Sequence, residues 1–160
     1  MKRLGIAATI LVIGLAGCDS DNPNSPSGDI TIFTVQLSAL NEVPPVTNAE
    51  TSARGTAVIT VNANANTIDF NVSLNGLTPT STITAAHIHP GAAGVNGSPL
   101  VNLNLTSGSV VLTNGAGTIT VPAVATNAAN IQQILAAPQN FYFNVHTTTN
   151  PGGVIRGQLR

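Results

Sequence analysis

Charge is scarce in this sequence. Aspartate, glutamate, lysine and arginine together make up 7% of 160 residues, against roughly 25% in an average soluble protein. No cluster of lysine or arginine lies beyond Lys2 and Arg3. That excludes the basic stripe that nucleic-acid binding requires. Cysteine is nearly absent too. Cys18 stands alone, so no disulfide can form within the chain and stability must come from packing. The apolar run Leu4 to Gly14 falls short of the about 20 residues that span a bilayer as a helix. Histidine occurs only three times, as His87, His89 and His146.

What is abundant is Val, Ile and Thr, with 15 Gly and 10 Pro. Such a composition favours strands joined by turns. The polar surface must come from the hydroxyls and amides of Thr, Ser and Asn. The length suits one domain with a sizeable core.

The N-terminus is an address. Lys2 and Arg3 precede the apolar run, and the small residues Leu15-Ala16-Gly17 precede Cys18. Residues 1–17 therefore read as a secretory signal with a cleavage site. The site also resembles the lipobox of bacterial lipoproteins. That resemblance implies cleavage before Cys18, a diacylglycerol on its thiol and an acyl chain on the new amine. Each buried CH₂ adds about 0.8 kcal/mol, so several chains make a durable anchor. The expected location is the bacterial cell envelope, lipid-anchored and extracytoplasmic, on the periplasmic or surface face. Residues 18–29 hold Ser, Pro, Asn and Asp with nothing apolar to bury, and read as a flexible tether. Beyond the signal, three arginines face six acidic side chains, a side-chain charge of −3.

From residue 30 the pattern is that of strands. Phe33, Val35 and Leu37 alternate with Thr34, Gln36 and Ser38, which predicts a half-buried strand. Asn41-Glu42-Val43-Pro44-Pro45 ends it, since proline donates nothing to a ladder. Residues 55–61 and 67–74 alternate in the same way around an Asn-rich turn, a predicted hairpin. Residues 82–89 form the next strand. Pro90 to Pro99 is a loop with Gly91, Gly94 and Gly97; without a lysine or a following helix it is no phosphate loop. Three short strands are expected at 100–105, 109–113 and 118–121. Ile131, Ile134 and Leu135 then recur at helical spacing, which predicts a short amphipathic helix over 127–136. Thr126 or Asn127 would cap it, and it would stop before Pro138. Strands return at 141–147 and 154–159. Short strands with turns throughout mean an antiparallel sandwich or barrel.

Several stretches together resemble one family. These are Asn41-Glu42-Val43-Pro44-Pro45, Ala85-Ala86-His87-Ile88-His89-Pro90-Gly91, Phe143-Asn144-Val145-His146-Thr147 and Asn150-Pro151-Gly152-Gly153-Val154-Ile155-Arg156-Gly157-Gln158-Leu159. Their order over residues 32–160 resembles the CHRD domain, known from chordin and from secreted bacterial proteins. Val154 departs from the acidic residue frequent there, which removes a partner for Arg156. The resemblance implies an extracellular module without established catalysis. A fainter similarity links the His-x-His strand and Gly-rich loop to copper/zinc superoxide dismutase. It would make His87 and His89 a copper pair, His146 a further ligand and Arg156 a guide for an anion. Three histidines cannot fill that enzyme's two-metal site. The expected fold class is all-β: an antiparallel Greek-key β-sandwich, immunoglobulin-like or superoxide-dismutase-like, with one short helix.

Residues i and i+2 of a strand share a face, so His87 and His89 can converge on one ion. His146, on the face of Tyr142 and Asn144, can complete a three-histidine set suited to copper or zinc. In the other reading the imidazoles bond to loop backbones and clamp the loop 90–99. Glu42 is a candidate fourth ligand or ion partner of Arg156, and Arg156 a structural ion pair or carbonyl clamp. Cys18 is consumed by lipid and no acid lies close in sequence to a histidine, so no catalytic residue is assigned. Two functions follow: a membrane-anchored, non-catalytic binding module for an extracytoplasmic protein or ligand, or a mononuclear copper or zinc protein that could be redox-active.

Overall fold

The computed structural model describes residues 30–106 and 108–160. The signal segment, Cys18 and the tether lie outside the described residues. Eight strands occur: β1 (Ile30–Ser38), β2 (Arg54–Asn62), β3 (Thr67–Asn75), β4 (Ile83–Pro90), β5 (Val101–Asn102), β6 (Gly117–Ala125), β7 (Phe141–Thr147) and β8 (Ile155–Gln158). They form one sheet in the order β5-β4-β7-β8-β1-β2-β3-β6, and each pairing is antiparallel. The sheet curls back on itself as a barrel-like sandwich. Phe70 of β3 stacks on Phe143 of β7 at 5.6 Å between ring centroids, and the halves join where Ser38 pairs with Arg156. The all-β expectation with one short helix therefore holds.

Alternation explains the core. Phe33, Val35 and Leu37 are buried beneath exposed Thr34 and Gln36, and Ile68, Phe70, Val72 and Leu74 repeat the pattern on β3. The β2–β3 turn works as the asparagines predict. Asn62 Oδ1 accepts from Ala65 N at 2.9 Å, and Asn66 takes a positive φ of 52°. Helix α1 spans Ala128–Ala136, with Asn127 as its N-cap accepting from Asn130 N. It buries Ile131 and Ile134 and gives way at Ala137, ahead of Pro138. Among the described residues no helix is long and apolar enough to cross a membrane.

Three local expectations fail. The strand expected over 100–105 shrinks to Val101–Asn102. Residues 109–113 carry no strand beyond a single bridge from Thr113 to Ala116, because the chain closes that hairpin on itself before reaching the sheet. The run 118–121 extends instead to Ala125, past Pro122, along the sheet edge where proline breaks no ladder. A bulge opens there opposite Asp69, whose carboxylate accepts from Ala123 N at 2.6 Å.

The larger correction concerns β7. Period two predicts one wet face, yet Phe141 through Val145 are all buried. The inward face carries Phe141, Phe143 and Val145. The outward face, with Tyr142 and Asn144, lies under two loops, 91–99 and 39–48. Asn96 links those loops, donating to Val43 O at 2.8 Å and accepting from Arg156 Nη1 at 2.9 Å. Gly97 permits the close approach: a Cβ there would stand 1.8 Å from Pro90 O.

Candidate functional site

The outward face of β4, β7 and β8 is a polar layer whose order follows from strand register. His87 sits opposite Asn144, Ala85 opposite His146 and His89 opposite Tyr142. On the other side Asn144 faces Arg156 and Tyr142 faces Gln158. Ile88, between the two histidines, points into the core and is fully buried. The site therefore lies on a covered sheet face rather than on an open surface or edge.

The three histidines do meet. One ring nitrogen from each lies within 4.8 Å of the others, and His87 Nδ1 stands 3.0 Å from His146 Nε2. Two of the tautomers are settled by what the rings touch. His89 Nδ1 faces Gly97 O at 2.8 Å, and His146 Nδ1 faces Pro151 O at 2.9 Å. A carbonyl only accepts, so both Nδ1 atoms carry the hydrogen and both Nε2 atoms present a lone pair. His89 Nε2 is buried and has no hydrogen-bond partner. Leaving such an atom unmet costs about 1–3 kcal/mol.

Burial first, and then the charge of His146 and His89, lower the pKa of His87 to about 4. Burial also lowers His89 against the Gly97 carbonyl, and His146 against the Pro151 carbonyl. At neutral pH all three rings are uncharged, the form in which imidazole binds metal.

Arg156 acts from below the loop. It is 2% exposed and donates to Asn96 Oδ1, Ala92 O and Val95 O at 2.9, 3.4 and 2.9 Å. Its Cζ lies 3.5 Å from the centre of the Tyr142 ring, a cation–π contact. Tyr142 in turn stacks on His89 at 4.8 Å and accepts from Gly97 N. The guanidinium donates to the Asn96 side chain and to two loop carbonyls, and Arg156 also lines the cleft of about 500 Å³ beside Glu42. The two readings of the histidines also cease to compete. His89 clamps the 90–99 loop through Nδ1 and leaves Nε2 without a partner.

Glu42 stands outside the three-histidine group. It is 6% exposed with Oε1 unpartnered, and its carboxylate lies 2.7 Å from where a Cβ on Gly153 would be. Gly153 has a φ of +131°, so glycine there serves both the backbone and the carboxylate. Desolvation raises the Glu42 pKa to about 7, opposed by the charge of Arg156 and by the Asn144 amide. Clefts of about 260 and 500 Å³ flank it. Neither is lined by a histidine.

Sequence reasoning missed two residues. Asn144 was visible only as a neighbour of His146 on its strand. Glu50 gave no signal at all, yet it is wholly buried. It accepts from Thr78 N and Oγ1, Ser81 Oγ, Thr147 Oγ1 and Asn150 Nδ2. Its donors lie 28 to 100 residues away, so no local pattern could reveal it.

The family model of the CHRD domain matches residues 33–159. No curated protein matches the chain, and no solved structure does.

Proposed function

This chain belongs to the CHRD domain family, and on that footing we propose that it is a lipid-anchored, extracytoplasmic binding module of the bacterial cell envelope whose ligand is one divalent copper or zinc ion. His87, His89 and His146 hold the ion. The observation that carries this reading is the buried, unpartnered Nε2 of His89, aimed at two other imidazoles. Apolar or hydrogen-bonded surroundings would be the ordinary fate of such an atom; a cation satisfies it directly. The carbonyls of Gly97 and Pro151 fix ring orientation, as outer partners of metal-bound histidines do. Ligands at about 2.0–2.1 Å from one ion lie at most about 4.1 Å apart. The widest pair here, within 4.8 Å, must therefore draw in slightly on binding, a movement that side-chain rotation supplies. The role this reading assigns is binding.

The test is metal content. Protein made without a histidine tag, reconstituted with Cu(II) or Zn(II) and desalted, is expected to retain about one equivalent, and His89→Ala well under half of that. Retention below about a tenth of an equivalent by the unaltered protein sinks the reading.

The anchor rests on Leu15-Ala16-Gly17-Cys18. In a bacterial host, labelled palmitate is expected in the full chain and not in Cys18→Ser, which should move to the soluble fraction. Equal labelling of both would remove the lipid from the picture.

A further inference from the structure

The register puts Asn144 at the middle of the histidines. It lies directly opposite His87, two residues before His146 on one face, and diagonal to His89. It is 2% exposed. Its Oδ1 stands 3.1 Å from His146 Nε2. That contact is odd chemistry for a metal-free site. His146 Nδ1 holds the ring hydrogen against Pro151 O, so Nε2 is an acceptor, and a carboxamide oxygen is an acceptor too. The amide as it stands turns its oxygen to the imidazoles, with Glu42 on its other side, where the amide favours the ionised acid.

Three lone-pair-bearing atoms, His89 Nε2, His146 Nε2 and Asn144 Oδ1, then share a space in which His87 Nδ1 supplies the only hydrogen. We infer that Asn144 Oδ1 is the fourth protein ligand of the ion, with Glu42 behind it as the carboxylate that orients and polarises the amide. This rests on the three-histidine reading and deepens it. Binding moves the His87 hydrogen from Nδ1 to Nε2; Nδ1 of His87 and Oδ1 of Asn144, each 3.0–3.1 Å from His146 Nε2 and each about 2.05 Å from an ion, then subtend angles near 95° with that nitrogen. That suits a tetragonal or five-coordinate ion. The oxygen donor makes the set N₃O, which favours a harder divalent ion over Cu(I), since soft monovalent copper gains little from a carboxamide. Charge is shared sensibly: the imidazoles and amide are neutral, and Glu42 is the one acid close to the cation and to Arg156.

The experiment uses the full domain and three probe ions, Co(II), Cu(II) and Ag(I), the last standing in for Cu(I). Asn144→Ala is expected to weaken Co(II) and Cu(II) binding about 10–100-fold and to change the Co(II) ligand-field spectrum. Ag(I) affinity should move less than about 3-fold. Asn144→Asp keeps an oxygen donor and should retain or tighten divalent binding with an altered Co(II) spectrum. Glu42→Gln should lose part of the divalent affinity while leaving every ligand in place. If the unaltered protein binds Co(II) and Cu(II) but Asn144→Asp leaves the Co(II) spectrum and affinity unchanged, Asn144 is no ligand and the inference fails alone. If the unaltered protein binds none of the ions, the three-histidine reading fails and takes this one with it. Equal losses for Ag(I) and the divalent ions in Asn144→Ala would mark a packing role and overturn the assignment. Should Asn144→Ala not fold, the aspartate variant decides the matter, since it preserves size and the inward oxygen.

Discussion

Replacing Glu50 with alanine is expected to cost about 3 kcal/mol or more of folding stability, a large share of the 5–15 kcal/mol that a domain holds. The carboxylate knots three distant segments. Thr78 and Ser81 come from the connection after β3, Thr147 from the end of β7 and Asn150 from the turn that follows. Truncation leaves their donors facing a void with no acceptor, and each unmet donor costs about 1–3 kcal/mol until water enters. The urea midpoint should fall with little change in slope. Glu50→Gln, of equal size, should lose less but still substantially, because an amide NH₂ would meet donors. The effect carries a pH signature. Burial works against the charge on Glu50, but the bonds from Ser81, Thr78, Asn150 and Thr147 outweigh it and hold the pKa below the ordinary 4.5. A depressed folded-state pKa gives stability that is present above the unfolded value and is lost as pH falls through the folded one. The gap between the unaltered protein and Glu50→Gln should therefore be constant at neutral pH and shrink below about pH 4.5. A gap that stays the same at pH 3 would show that the charge contributes nothing.

Arg156→Met is the second large effect. It removes three hydrogen bonds to the 91–99 loop and the stack on Tyr142, and it strips Glu42 of the nearby charge that favours its ionised form. Each hydrogen bond from a charged donor is worth about 1.5–3 kcal/mol, so losing three is costly. The expected local result is faster amide exchange across residues 91–99, because Asn96 and the carbonyls of Ala92 and Val95 lose their common donor. Metal affinity should fall about tenfold or more, since the loop supplies the Gly97 carbonyl that aims His89. Arg156→Lys should rescue little. One ammonium cannot reach two carbonyls and an amide while lying flat on a phenol ring. If Arg156→Lys matches the unaltered protein within about 0.5 kcal/mol, the guanidinium geometry is not what holds the loop.

Much of the fold was written locally. Ile68, Phe70, Val72 and Leu74 declare a strand face by spacing alone, and Asn62 to Asn66 declare the turn that follows β2. Ile131, Ile134 and Pro138 fix a helix and its stop. These signals are legible because side-chain direction in a strand or helix is set by the backbone period, which the order of residues displays directly. The CHRD resemblance was legible for a similar reason, in four short stretches in fixed order. His87 and His89 announced themselves as a same-face pair.

Only the tertiary structure decided what covers that face. Tyr142, Asn144 and Arg156 look like solvent-facing positions by alternation, and they become buried because two loops, neither with any periodicity, fold over β7 and β8. Loop closure depends on contacts such as Arg156 to Val95 and Asn96 to Val43, made between residues 53 to 61 positions apart, and no local pattern encodes them. The same holds for the convergence of His146 on His87 and for the five donors gathered by Glu50. The sequence by itself determined most of the strands, the helix, the family and the three histidines. Register and loop packing decided that Asn144 stands among those histidines, that the Nε2 of His89 is left without a partner, and that Arg156 pins a loop instead of meeting solvent.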